Sequence, residues 1–218
     1  MKALVLLSGG MDSGVLLAQS LTEFDSVDAI SFEYGSKHNH KELESAVLLA
    51  KKYDVTHTVI PLRFLDELFD SSLLQGGEPV PDGTYNQDNM RSTVVPFRNG
   101  IMLAVAVGYA ENLQIDEVLI GSHSDDHGVY PDCRTEFTEK FSEAASLGTY
   151  TGVRVRSPFT ALSKSEIAAV GHKLDFDFSL TWTCYKGHDL HCGLCAACNA
   201  RKEALQFEEG KDPTRYEH

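Results

Sequence analysis

Residues 2–7, Lys2-Ala3-Leu4-Val5-Leu6-Leu7, run straight into Ser8-Gly9-Gly10-Met11-Asp12-Ser13-Gly14. The first six form a short apolar run, as expected of a strand buried on both faces. The next seven hold three glycines and two serines, the composition of a tight loop. Residues 15–23 then take helical spacing, with Leu16, Leu17 and Leu21 apolar. Glycines let the backbone turn sharply and approach a ligand closely. A loop of this kind, between a strand and a helix N-terminus, forms a nest of N–H groups for an anion. Ser8 and Ser13 can add hydroxyl donors. Asp12 would repel a bare phosphate, so it holds either a backbone turn or a magnesium ion. A plain tight turn would use the same residues for geometry alone. The loop has neither the Gly-Lys-Ser/Thr end of a Walker loop nor the Gly-x-Gly-x-x-Gly fingerprint.

Outward from this stretch, strands alternate with helices. Residues 27–32 read as a strand, 41–53 as an amphipathic helix, and 56–62 as a strand. The apolar stripe of that helix is Leu43, Ala46, Val47 and Ala50. Residues 75–87, rich in Gly, Pro and Asp, read as a surface loop. Then follow a helix at 99–112, a buried strand at 116–121, a helix at 136–147 and a short strand at 153–156. Residues 163–174 read as a helix, with Ser163 and Glu166 forming a capping box. The alternation predicts an α/β fold, a Rossmann-like parallel sheet with helices on both faces. Such sheets bind ligands at the carboxyl ends of their strands. An α/β domain is expected over residues 1–180, and a small module packed on it over 181–218.

The chain has 218 residues, of which 42% are hydrophobic and 23% charged, a composition that argues against disorder or a coiled coil. It has 19 Lys and Arg against 32 Asp and Glu, a net charge of −13. That excludes a broad electrostatic pull on nucleic acid or on anionic membranes. Glycines break the apolar start too early for a signal peptide, and no run approaches a membrane span. A cytoplasmic location is expected.

Five cysteines, an odd number, argue against a disulfide framework in that compartment. Cys184, Cys192, Cys195 and Cys198 fall within fifteen residues, at spacings that let four thiolates converge on one ion. Zinc is expected, in a closed structural site, although an iron–sulfur cluster also uses four cysteines. His188 and His191 flank the group and could replace one cysteine, but read rather as solvated or supporting residues. Cys133 stands apart and reads as a small buried packing residue.

The loop Ser8–Ser13 resembles the Ser-Gly-Gly-x-Asp-Ser signature of the PP-loop ATP pyrophosphatases. Further stretches narrow the resemblance along the whole chain. They are Tyr34-Gly35-x-x-His38 with Glu42-Leu43, and Val95-Pro96-x-Arg98-Asn99. Tyr130-Pro131-Asp132-Cys133-Arg134 follows, then Ser157-Pro158 with Lys164 and Glu166-Ile167. Thr183-Cys184-Tyr185, Cys192-Gly193-x-Cys195-x-Ala197-Cys198 and Asp212-Pro213-Thr214 with Tyr216 complete the set. Together these resemble the 7-cyano-7-deazaguanine (preQ0) synthase family. The resemblance implies an adenine nucleotide alpha hydrolase-like fold and a homodimer. It also implies ATP with Mg2+, one structural Zn2+ per subunit, and small-molecule substrates rather than bulk nucleic acid. The implied reaction converts 7-carboxy-7-deazaguanine and ammonia to the nitrile by adenylating first the carboxylate and then the amide.

The resemblance assigns Leu7, Ser8, Gly9, Gly10, Met11, Asp12, Ser13 and Gly14 to ATP phosphates. Lys164 is expected to neutralise phosphate charge, and Arg98 and Arg134 to pair with phosphate or the substrate carboxylate. Asp132 and Asp126 are expected to bind the amino-pyrimidinone edge or to deprotonate ammonium, and Asp126 could instead hold magnesium. Ser36-Lys37, Phe97 and Gly128-Val129 depart from the family pattern. Phe97, in place of a usual glycine, is expected to offer a stacking face to a flat base or to narrow the pocket. Alternative readings are a relative that stops at the amide or uses another amine, a tRNA-thiolating PP-loop enzyme, and a non-catalytic zinc-bound interaction protein.

Overall fold

The computed structural model describes residues 1–84, 91–206 and 212–218. Five parallel strands form one sheet in the order β3-β2-β1-β4-β5. They are β1 (Lys2–Leu6), β2 (Ser26–Glu33), β3 (His57–Pro61), β4 (Glu117–Leu119) and β5 (Arg154–Arg156). The described α-helices are α1 (Met11–Glu23), α2 (Asn39–Tyr53), α3 (Phe64–Leu68), α4 (Arg98–Asn112), α5 (Thr135–Gly148), α6 (Lys164–Lys173) and α7 (Ala196–Gln206).

β1 lies at the centre, paired with β2 from Lys2↔Ser26 to Leu6↔Ile30 and with β4 from Ala3↔Glu117 to Val5↔Leu119. Its side chains alternate between faces, and both faces are buried. Ala3, Val5 and Leu7 join a core that includes Leu16 of α1, Leu49 of α2 and Ile167 of α6. Leu4 and Leu6 join the opposite core, with Leu103 and Ala106 of α4 and Val155 of β5. The strand order reverses between β1 and β4. The crevice at their carboxyl ends is the switch point where such sheets bind ligands.

Two expectations change. α1 starts at Met11 rather than Val15, because Gly10 is extended and its carbonyl takes the Gly14 N–H at 3.0 Å. Half of the expected loop is therefore the first helical turn. The buried face of α2 is Ala46, Leu49 and Ala50, while Val47 is 51% exposed. Leu43, Ala46, Val47 and Ala50 and the shifted set both satisfy a 3.6-residue period, and the position of the sheet selects between them. The capping box of α6 is present, with the Ser163 N–H bonded to Glu166 Oε2 at 2.7 Å. It sets Lys164 as the first helical residue.

Of the loop expected at 75–87, residues 75–84 are described and 85–87 lie outside the described residues. Lys37 pins this loop by donating to the carbonyls of Ser72, Gly77 and Glu78 at 2.9, 2.9 and 2.6 Å. No helix among the described residues is long and apolar enough to cross a membrane.

Arg201 of α7 is completely buried and ties the C-terminal segment to the sheet domain. It donates to Thr214 Oγ1, Thr181 Oγ1 and the Phe178 carbonyl at 2.6, 2.7 and 2.8 Å, with Asp212 at 3.8 Å. Removing the cation would take a buried donor from each of these acceptors and the opposite charge from the Asp212 carboxylate. Arg201→Leu is expected to cost about 3–5 kcal/mol of stability, read as a lowered urea midpoint at unchanged slope. An unchanged midpoint would show that the tail docks without this residue.

Candidate active site

One cavity of about 390 Å3 opens at the carboxyl ends of β1 and β4. The loop between β1 and α1 forms its floor. Leu7, Ser8, Gly10, Met11, Asp12 and Ser13 line it. Gly9 and Gly14 do not, and each is a glycine for packing reasons. Gly9 has φ +81°, and a Cβ there would lie 2.1 Å from the Glu42 carbonyl of α2. A Cβ on Gly14 would lie 2.7 Å from the Phe176 ring. The Ser8 and Ser13 hydroxyls meet at 3.0 Å, and Ser8 Oγ accepts the Gly10 N–H.

Lys164 enters from the start of α6, and its Nζ lies 2.5 Å from Asp12 Oδ2. Asp125 Oδ2 accepts the Lys164 N–H at 2.9 Å and so braces the same helix end. His123, in the turn after β4, places Nε2 3.4 Å from Asp126, 3.7 Å from Asp12 and 3.5 Å from Lys164 Nζ. Burial acts to raise the Asp12 pKa, but Lys164 and then His123 hold it below the usual carboxylate value. For Asp126 burial prevails, and its carboxyl is pushed up. His123 was missed in the sequence reading. Its signal was position alone, just past the strand that borders the switch point.

Arg98 begins α4 and reaches the same cavity. Its guanidinium lies over the Tyr34 ring, 5.7 Å from the centroid. Its side-chain contacts to Tyr34 Oη and Asn99 Oδ1 are long, at 3.4 and 3.5 Å. No described carboxylate lies within salt-bridge distance of it, so it is a cation in a cleft without a counter-ion.

Three expected placements are corrected. Asp132 is not in the cavity wall; its Oδ2 accepts the Asn99 N–H at 2.9 Å and caps α4. An unsatisfied helix N-terminus attracts a nearby carboxylate, which accounts for this position. Arg134 is exposed, and its Nε donates to the His127 carbonyl at 3.1 Å, outside the cavity. Phe97 neither stacks over the pocket nor narrows it. It is 57% exposed, covers Gly100 and meets Phe137 edge-on at 5.7 Å. Its φ of +53° turns the side chain away while Arg98 turns in. Cys133 is buried, accepts from Asn99 Nδ2 at 3.1 Å, and has its thiol pushed up to about 12 by burial.

The cysteine segment forms another wall of the cavity, through Trp182, Thr183, Tyr185 and Ala197. Cys184, Cys192, Cys195 and Cys198 are buried, and their Sγ atoms all lie within 4.8 Å of one another. Cys192 Sγ accepts N–H bonds from Leu194 at 3.4 Å and Cys195 at 3.3 Å. The four sulfurs can hold a metal. His191 is not part of this set. It packs on Trp182 at 4.1 Å, accepts the Thr183 N–H at 3.1 Å, and burial lowers its pKa to about 4. The exposed His188 lies 3.7 Å from Glu217.

The fold is shared with solved structures of low sequence identity. The U34-tRNA thiolase NcsA of Methanococcus maripaludis aligns with TM-score 0.52 and 18% identity, over 81% of this chain and 58% of its own. The NH3-dependent NAD synthetase of Campylobacter jejuni aligns with TM-score 0.50 and 19% identity, over 82% and 66%. Sequence similarity reaches further. A 7-cyano-7-deazaguanine synthase of Desulfotalea psychrophila is 59% identical over 214 residues, 98% of each chain. One from Porphyromonas gingivalis is 47% identical over 215 residues, covering 99% of this chain and 97% of the relative. The family described as queuosine biosynthesis protein QueC matches residues 2–209. With the phosphate loop, the cleft cations and the cysteine group all inside that span, the chain belongs to the QueC family.

Proposed function

We propose that this chain is a 7-cyano-7-deazaguanine synthase, an ATP-dependent carbon–nitrogen ligase that makes preQ0 from 7-carboxy-7-deazaguanine and ammonia. One observation carries the reading: one cavity holds the Ser8–Ser13 loop, the Lys164 ammonium and the Arg98 guanidinium. Full-length similarity to relatives of that name supports it.

A carboxylate resists attack by ammonia because its oxygen is a poor leaving group. In the proposed sequence that oxygen attacks the α-phosphorus of ATP and pyrophosphate leaves. Ammonia then attacks the carbonyl carbon, and AMP departs with the original oxygen to give the amide. A second ATP takes the amide oxygen in the same way. Loss of two N–H protons and of AMP leaves the nitrile.

The loop N–H groups and the Ser8 and Ser13 hydroxyls bind phosphate oxygens at the start of α1. Lys164 neutralises the charge that develops as pyrophosphate leaves. Arg98 pairs with the substrate carboxylate by parallel N–H bonds. Asp126, raised by burial, accepts a proton from ammonium. Asp132 acts as a positioning residue, through the helix end that carries Arg98. Asp12 would hold Mg2+ through Oδ1, a buried oxygen without a hydrogen-bond partner.

Zinc fits the cysteine group. At about 2.3 Å per Zn–S bond, tetrahedral sulfurs lie about 3.8 Å apart, and Cys192 and Cys198 are 3.9 Å apart. An iron–sulfur cube spreads its thiolates more widely. Four thiolates leave no open position, so zinc would supply structure rather than catalysis. The proposed enzyme acts in the cytoplasm as a homodimer, on small molecules rather than on bulk nucleic acid.

The test is incubation with 7-carboxy-7-deazaguanine, Mg-ATP and ammonium, with product mass as the readout. The nitrile with AMP is expected. An amide alone would remove the second activation, and no AMP-dependent product would overturn the reading. Lys164→Met is expected to lower kcat by about 10²–10³ with an unchanged circular dichroism spectrum. Cys195→Ser is expected to bring bound zinc, measured by elemental analysis, from one per chain to well below one and to lower Tm. Full zinc retention would remove Cys195 from the ligand set.

A further inference from the structure

The function proposed above leaves open how the cavity reads the base itself, and the following inference rests on that function. We infer that the Glu42 carboxylate receives the two adjacent N–H donors on the pyrimidine edge of the deazaguanine and thereby sets specificity for a 2-amino-4-oxo ring.

The substrate is flat, with a carboxylate on its five-membered ring and a run of two donors, the ring N–H and the exocyclic amine, on its six-membered ring. It needs a cation for the first, an acceptor for the second and aromatic faces between. The cation is Arg98. Among the acids that line the cavity, all but one are committed or in solvent. Asp12 is bonded to Lys164, Asp126 is the proton acceptor assigned above to ammonium, Asp125 braces the start of α6, and Glu203 is exposed.

Glu42 is the remaining acid. It sits in the first turn of α2 with a side chain only 17% exposed. Its nearest cationic candidate is His38, whose Nε2 lies 3.5 Å from Oε1, long for a hydrogen bond. His38 Nδ1 faces the Tyr185 carbonyl at 3.2 Å, and a carbonyl can only accept. In the neutral ring the proton is therefore on Nδ1, and Nε2 has nothing to donate to Glu42. Among the described residues no donor closer than His38 faces this partly exposed carboxylate, and a ligand's N–H pair would satisfy it.

Aromatic rings surround this acid. His38 and Tyr185 lie 5.2 Å apart, and Tyr34 carries Arg98 over its face. The buried Tyr34 hydroxyl is raised by burial, then further by the Glu42 charge and less so for the Arg98 charge. Both ions therefore act on one ring, as a ligand bridging them requires. A carboxylate also selects against adenine-type rings, which present a ring nitrogen lone pair on the corresponding edge.

The experiment compares 7-carboxy-7-deazaguanine with its analogue bearing hydrogen in place of the 2-amino group, on wild type and on Glu42→Gln. Wild type is expected to favour the 2-amino acid in kcat/KM by about 10² or more, because an unmatched buried acceptor is penalised. Glu42→Gln should lose about 10² in kcat/KM, mainly through KM, and most of that preference, with KM for ATP unchanged. Retained preference in the variant, or a raised KM for ATP with an unchanged KM for the base, would overturn the assignment. Equal use of both acids by wild type would overturn it without any variant. Failure of wild type to turn over the 2-amino acid would instead remove the proposed function, which separates the two cases.

Discussion

The absence of a side chain at Gly9 lets three parts of the molecule meet. Its positive φ turns the phosphate loop, and the α2 backbone then packs where a Cβ would stand, 2.1 Å from the Glu42 carbonyl. The Gly9 carbonyl accepts the Trp182 N–H at 2.9 Å, which ties the cysteine segment to the same point. Without that close approach, the floor, the α2 wall and the Trp182 wall of the cavity would not share one position. The cysteine segment therefore reaches the site through this backbone hydrogen bond and through the His38 contact of the Tyr185 carbonyl.

Five acids and two cations, Lys164 and Arg98, line the cavity. A molecule at −13 repels ATP and a carboxylate substrate at long range. Two cations oppose this locally and are held differently. Lys164 is kept at the Ser8–Ser13 loop by Asp12, a partner that phosphate oxygens can replace. Arg98 is kept by α4 and the Tyr34 face, with no carboxylate of the described residues to displace. An uncompensated guanidinium in a low-dielectric cleft attracts an anion far more strongly than an exposed one does.

Much of this was legible in residues 2–14, because burial on both faces and a glycine-rich turn are local properties. The capping box that places Lys164 was legible for the same reason. Side-chain direction was not. Asp132 and Arg134 share a motif with the buried Cys133, but a 3-10 turn over Pro131–Cys133 sends the Asp132 carboxylate to the end of α4 and leaves Arg134 in solvent. Phe97 looked like a pocket residue because it adjoins Arg98, and a left-handed backbone at that residue separates the two. His123 and Glu42 lie on segments far apart in sequence, and only the strand order brings them to one cleft. The exposed Val47 shows the same limit, since helical periodicity defines a stripe and tertiary packing chooses its phase.

In the proposed reaction this cleft transfers substrate oxygen to AMP twice. Turnover of 7-carboxy-7-deazaguanine labelled with 18O at both carboxylate oxygens tests this directly. One 18O is expected in each of the two AMP molecules formed per nitrile, and none in pyrophosphate. Label in pyrophosphate or inorganic phosphate, or unlabelled AMP beside the nitrile, would contradict it.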